Sequence, residues 1–278
     1  MKRKLCLVSG ILFALPAFAL SACGDFTDGL EFTASEDGSY YICSGIGEAT
    51  AAQITIPSEH KGKPVTGIGP WAFAGCENLT SVTVPDSVTA IDAYAFIGCK
   101  ALTEVSVPDS VVSLGRGVFC YCAALTDVKI PEGLSYVGGQ TFYGCISLTE
   151  MIIPDGVEFI WEDAFAYCKG LTEIVIPDGV VSVASCAFYG CEGLTEITFP
   201  DSVTCISTGV LENCINLQSV TFGSAVTQIE MRAFDGCENL TAVNYGGTAE
   251  GWGSIVKGLD WNADTGEYEV NCTDSTAK

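Results

Sequence analysis

Eight cysteines, Cys76, Cys99, Cys122, Cys145, Cys168, Cys191, Cys214 and Cys237, recur every 23 residues without a break. Such a spacing constrains a chain more than local propensity does, because a residue that points inward in one unit must point inward in all. A leucine follows each cysteine by three positions (Leu79, Leu102, Leu125, Leu148, Leu171, Leu194, Leu217, Leu240). An aromatic precedes it by three (Phe73, Phe96, Phe119, Phe142, Phe165, Phe188, Phe234), with Leu211 the exception. A unit this short cannot enclose a core alone, so neighbouring units must stack their apolar faces into a solenoid of coils.

Within one unit, Leu79-Thr80-Ser81-Val82-Thr83-Val84-Pro85 alternates as a half-buried strand does, with Leu79, Val82 and Val84 inward. Proline ends the ladder there and again at Pro108, Pro131, Pro154, Pro177 and Pro200, each followed by an acid and then Ser or Gly, a turn composition. Val88 and Ile91 mark a second short extended stretch, and residues 94–99 read as a brief helical or 3₁₀ turn. A repeat of roughly 20 to 29 residues with leucines at set offsets specifies a leucine-rich-repeat solenoid. The predicted fold is mainly β with short helical or 3₁₀ turns, a curved right-handed coil whose parallel sheet lines the concave side.

The pattern LTxVxVPDSVTxIxxxAFxxC, kept in phase over most copies, resembles the BspA-like class of bacterial surface leucine-rich repeats. Leu30 to Gly47, Lys61-Gly62-Lys63-Pro64-Val65-Thr66 and the tail from Tyr245 through Trp252 to Asp274 also look like that family. The resemblance implies an exported or surface-attached protein that binds other proteins, several members being adhesins, with no catalytic residues to carry over. Leu211 and Gly223 depart from the pattern, so less regular packing is expected near the C-terminal end.

The first residues resemble an export signal: basic Lys2-Arg3-Lys4, an apolar run from Leu5 to Leu20, then small residues. Leu20-Ser21-Ala22-Cys23 resembles the bacterial lipobox. That implies a lipoprotein signal peptide at 1–22 and a lipidated Cys23, which anchors the chain to the bacterial membrane for display at the cell surface. Residues 23–29 read as anchor and spacer, 30–53 as an N-terminal β-hairpin cap turning at Glu36-Asp37-Gly38, and 54–245 as the array, about eight units after an irregular first strand. Residues 246–278 read as a C-terminal cap or tail. His60, the sole histidine, falls in a loop of the irregular unit and reads as solvated.

Twelve Lys and Arg against 34 Asp and Glu give a formal charge of −22, which repels nucleic acid and anionic headgroups. Basic proteins are tolerated partners, and membrane contact is expected through the N-terminal lipid alone. Of fifteen cysteines, thirteen remain once Cys6 leaves with the leader and Cys23 is lipidated, an odd number that cannot all pair. The in-phase cysteines read as a structural ladder of small buried groups, with pairing between ladder neighbours left open. Cys43 and Cys272 stand at opposite ends of the array and are too far apart to join. No paired CxxC units suggest a metal, and no cofactor is implied.

The candidate binding surface is the outward side of the concave sheet. One column reads Ser81, Glu104, Asp127, Glu150, Glu173, Glu196, Ser219, Ala242; the next reads Thr83, Ser106, Lys129, Ile152, Val175, Thr198, Thr221, Asn244. Five stacked carboxylates repel one another, and Ile152 with Val175 forms an apolar spot beside Glu150 and Glu173. A solvated acidic face that keeps the array soluble is the plainer reading. A second candidate is the group Tyr121, Tyr143, Tyr167 and Tyr189 on the far side of the coils, joined by Phe159 and Trp161, for which a core or edge filler is the plainer reading. No nucleophile has a histidine partner beyond His60 and no phosphate loop occurs, so the chain does not read as an enzyme. The favoured function is a monomeric, lipid-anchored surface module that binds extracellular or host proteins; the alternative is a structural or polysaccharide-associated envelope component.

Overall fold

The computed structural model describes residues 26–274 and the backbone of 276–277; the signal segment and Cys23 lie outside the described residues. Each coil contributes one short strand to each of two faces and a turn-rich third side. Strands Gln53–Thr55, Ser81–Thr83, Glu104–Ser106 and Asp127–Val128 open the first face. Glu150–Ile152, Glu173–Val175, Glu196–Thr198, Ser219–Phe222, Ala242–Tyr245 and Glu269–Asn271 continue it. Pairing is parallel and in register, Ser81 opposite Glu104 and Glu150 opposite Glu173. The hydrogen-bonded ladder lapses between Asp127–Val128 and Glu150–Ile152, and again between Glu173–Val175 and Glu196–Thr198. The second face runs from Lys63–Ile68 through two-residue strands such as Ala90–Ile91 and Phe159–Ile160 to Val256–Lys257.

The third side is turn-like without being helical. In the coil through Phe96, the amides of Tyr94, Phe96 and Gly98 donate to Arg116, Val118 and Cys120 of the next coil, at 2.8, 2.9 and 2.8 Å. The alternate amides, of Ala95, Ile97 and Cys99, close turns within the coil onto Asp92, Tyr94 and Phe96. Two residues per coil, four apart, hold positive φ, as Tyr94 (60°) and Gly98 (71°) do, and these prevent the turns from propagating into a helix. The expected 3₁₀ turn is thus reduced to isolated bonds of that type. The sole α-helix among the described residues is Ala249–Ser254, capped by the Thr248 hydroxyl, which accepts from the Gly251 amide.

Rows of like residues form the core. Phe73, Phe96, Phe119, Phe142, Phe165 and Phe188 stack nearly parallel, with centroids 5.1 to 5.7 Å apart. Each buried ring contributes about 1.5–3 kcal/mol by removal from water. Hydrogen-bonded strands are spaced about 4.8 Å apart, so rings with centroids slightly farther apart than that lie offset over one another. Leu211 and Gly223 do not loosen the packing, contrary to expectation. Leu211 is fully buried and donates its amide to Ala233 at 3.0 Å. Ser219–Phe222 pairs over four residues with Ala242–Tyr245, one more than Glu196–Thr198 manages with it, because Gly246, at the proline position of the next coil, donates its amide to Phe222 at 2.9 Å.

The ladder cysteines are free thiols, and they do more than fill space. From Cys99 to Cys237, each described Sγ–H donates to the main-chain carbonyl of the Phe-position residue one coil back: Cys99 to Phe73 at 3.0 Å, Cys168 to Phe142 at 3.1 Å, Cys237 to Leu211 at 3.2 Å. That carbonyl also accepts the amide of the cysteine in its own coil, as Phe73 does from Cys76. A small side chain with a weak donor suits the place better than alanine would. Burial pushes the Cys168 and Cys237 thiols up to about 12 and those of Cys145, Cys191 and Cys214 well above their ordinary value. On the outer edge, threonine hydroxyls make an analogous row: Thr103 donates to the Thr80 carbonyl at 3.1 Å and Thr172 to that of Thr149 at 3.0 Å.

At the N-terminal end, Glu31–Ala34 pairs antiparallel with Tyr41–Gly45, which in turn adds in parallel to Lys63–Ile68. Asp37 accepts from the Ser39 amide and from the Ser35 and Ser39 hydroxyls, which tightens the hairpin turn. His60 is not loosely solvated. It belongs to the strand Glu59–His60 and stacks on Phe32 at 4.2 Å with its edge toward Tyr41 at 4.8 Å. At the other end, parallel pairing continues past residue 245: Ala242 opposes Glu269, and Trp261 takes the place beside Phe234. Lys257 locks this last coil, its Nζ 4.4 Å over the Trp252 ring and bonded to the Trp252 carbonyl at 2.9 Å.

Candidate functional site

The parallel register brings the acidic column together side by side. Asp127 opposes Glu104, Glu150 opposes Glu173, and Glu196 opposes Ser219, all exposed except the partly buried Ser219. Their neighbours in sequence, Val105, Met151, Ile174 and Ile197, point into the core, which forces the acids outward because alternate strand residues face opposite sides. Ile152 and Val175 are direct partners in the adjoining column and are 67% and 55% exposed.

Lys129 occupies the same column as Ile152, yet its ammonium turns away from the acids. It bonds both oxygens of Asp109, at 2.9 and 3.0 Å, and lies 3.7 Å from Glu132. The Lys129 ammonium, with the Glu132 amide behind it, holds the Asp109 carboxyl below the usual carboxylate range. The other ion pairs among the described residues, Lys100 with Glu77, Arg116 with Glu162, Lys169 with Glu192 and Arg232 with Glu212 and Asp235, also lie off the column. The five column carboxylates therefore face solvent together, with no cation among the described residues paired to them. After Glu196 the column is neutral at Ser219 and Ala242 before the exposed Glu269, and in the adjoining column Asn244 donates to the Thr221 hydroxyl at 3.2 Å and Asn271 donates to Asn244 at 2.9 Å.

The tyrosine group is also real, though its membership differs from expectation. Tyr121, Tyr143, Tyr167 and Tyr189 form one edge-to-face file on the third side, with successive centroids at 5.2, 5.3 and 5.0 Å. Asn213 extends it by donating to the Tyr189 hydroxyl at 2.9 Å. Burial first, then the Tyr121 phenol, raises the Tyr143 pKa; the hydrogen bond with Tyr189 raises that of Tyr167. Phe159 and Trp161 do not join the file. They stack on each other at 6.0 Å, with Phe159 carried by a second-face strand.

Tyr121 and Tyr167 hold φ of 60° and 59°, at the position where five other coils place Gly75, Gly98, Gly144, Gly190 and Gly236. A side chain in the left-handed region costs roughly 1–2 kcal/mol. The sequence carried a signal for this, since glycine recurs one residue before the cysteine and tyrosine interrupts it, but the sign of φ is invisible in the pattern.

The profile of the BspA-type leucine-rich-repeat region, in six copies, matches residues 47–172 and 159–254. The chain belongs to the BspA-type leucine-rich-repeat family. Among solved structures, the leucine-rich repeat protein of T. pallidum is similar at 24% identity and a TM-score of 0.52, over 76% of this chain and 88% of that one, which establishes the shared fold. A leucine-rich cell surface protein of Faecalibacterium prausnitzii A2-165 aligns at 22% identity and TM-score 0.43, over 82% of this chain and 96% of that one. A leucine-rich repeat protein of Bacteroides ovatus aligns at 18% and 0.45, over 88% and 90%. No curated protein matches the chain. No helix among the described residues is long and apolar enough to cross a membrane.

Proposed function

We propose that this BspA-type protein is a lipid-anchored module of the bacterial cell surface that binds a basic protein segment along its concave sheet. One observation carries the reading: five column carboxylates without cations flank the exposed, directly paired Ile152 and Val175. Apolar contact supplies the anchor at the centre of such a surface, and a complementary charge speeds and orients the encounter. The family supports a protein-interaction role, and the lipobox-like segment supports anchoring at Cys23.

The test uses the soluble form from residue 24 onward, immobilised and probed with a panel of extracellular host proteins and with purified cell wall. Binding to a protein of the panel is expected to weaken with salt and to fall at least about tenfold in Glu150→Lys and in Ile152→Ser. A protein ligand indifferent to both changes removes the concave face from the function. Binding to cell wall alone, equally indifferent, replaces the reading with a structural role in the envelope.

A further inference from the structure

We propose that the tyrosine file on the third side is a second recognition surface, which docks a proline-rich segment with basic flanks in the polyproline II conformation. It is separate from the concave sheet and does not depend on the reading given to that face.

Tyr121 is exposed, and Tyr143, Tyr167 and Tyr189 are half-buried with part of each ring at the surface. Tyr121 and Tyr167 take a left-handed backbone that five sister coils assign to glycine, so the rings are present despite the backbone preference. Each is seated by a glycine in the following coil: a Cβ on Gly144 would stand 2.9 Å from Tyr121 Cδ1, and one on Gly190 would stand 3.1 Å from Tyr167 Cδ1. Tyr143 and Tyr189 then fill the positions just before those glycines. The motif therefore repeats every second coil, and Tyr121 remains 53% exposed.

Geometry and charge select the occupant. Two coils span about 10 Å, and one turn of polyproline II rises about 9 Å, so successive turns of such a peptide meet equivalent tyrosines. The conformer is preformed, and its solvated carbonyls accept hydrogen bonds from phenols, which is how aromatic-lined surfaces read proline-rich chains. Asp163 stands close enough to act on the Tyr143 and Tyr167 phenols, and its hydrogen-bond partner is the neutral Gln140 at 3.3 Å. The nearby Glu162, Glu192 and Glu212 are each held by a cation. Asp163 is thus the carboxylate beside the file available to an incoming arginine.

Fluorescence anisotropy of a labelled decaproline peptide with an arginine at each end tests this, against a Gly-Ser peptide carrying the same arginines. Saturable binding of the proline peptide alone is expected, with at least about a tenfold loss in the double variant Tyr121→Gly, Tyr167→Gly. The melting temperature of that variant should hold or rise, because glycine takes the left-handed turn freely. Should it fail to fold, Tyr121→Asn with Tyr167→Asn carries the test, since Asn213 already holds this conformation at φ 62°. Glu150→Lys, on the concave face, should leave the affinity unchanged. Equal binding of the Gly-Ser control, undiminished binding by the tyrosine variants, loss through Glu150→Lys, or no binding by the wild-type protein overturns the proposal.

Discussion

Replacing Glu173 with lysine should make this protein more stable, although it alters a surface proposed to bind. Glu173 lies directly opposite Glu150 in a parallel pair, and no cation among the described residues bonds to either. At a strand spacing of about 4.8 Å, two like charges in water repel by about 0.9 kcal/mol. Reversing one sign turns that cost into an equal gain, a swing of about 1.7 kcal/mol before screening. A Debye length of about 8 Å near physiological salt leaves about 1 kcal/mol. For a chain of this size that corresponds to a melting temperature about 2–4 °C higher. Thermal melts followed by circular dichroism, in low salt and near 1 M salt where the screening length falls to about 3 Å, give the measurement. The gain should shrink as salt rises. A variant that melts lower, or a gain untouched by salt, would show that the carboxylates do not confront one another and would refute the argument from register.

Other consequences follow from the interior. Phe142→Ala opens a hole between Phe119 and Phe165 and should cost about 3–5 kcal/mol, read as a lower urea midpoint. Cys168 and Cys237, with thiols pushed up to about 12, should resist alkylation in the native state at mildly alkaline pH and react only after unfolding; rapid native labelling would contradict their burial. Burial, aided by Lys61, lowers the His60 pKa below 6.5, so the folded state prefers the neutral ring. The unfolded chain then takes up a proton first, and the cap's stability should be intact above 6.5 and decline as pH falls below it. Hydrogen exchange over Glu31–Gly45 measures this, and an equal decline in His60→Phe would assign it elsewhere.

Much of the architecture was legible because a constant coil length copies one decision many times. Knowing that Val82 is inward settles Val105, Ile174 and Val220, and the outward acids between them follow by alternation. The same rule found the columns of the candidate site. It failed where a residue's partner lies outside its own pattern. The loop of His60 interrupts the repeat and so reads as solvated, yet Phe32 of the hairpin stacks on its ring. Leu211 and Gly223 depart from the pattern, yet an aliphatic residue fills the phenylalanine row and the strand before Gly223 pairs along its full length with Ala242–Tyr245. Lys129 sits in a ligand-facing column on paper, while Asp109 at the turn draws its ammonium aside.

The spacing of cysteine, leucine and phenylalanine by itself determined that the chain must coil, how long each coil is and which residues meet the axis, because stacking units of equal length makes like positions neighbours. Tertiary structure alone decided what those neighbours do to one another. The thiol row bonding the carbonyls one coil back, the left-handed backbone beneath Tyr121 and Tyr167, and the turning of the Lys129 ammonium away from the acidic column all depend on offsets and angles between coils, which a linear period leaves open.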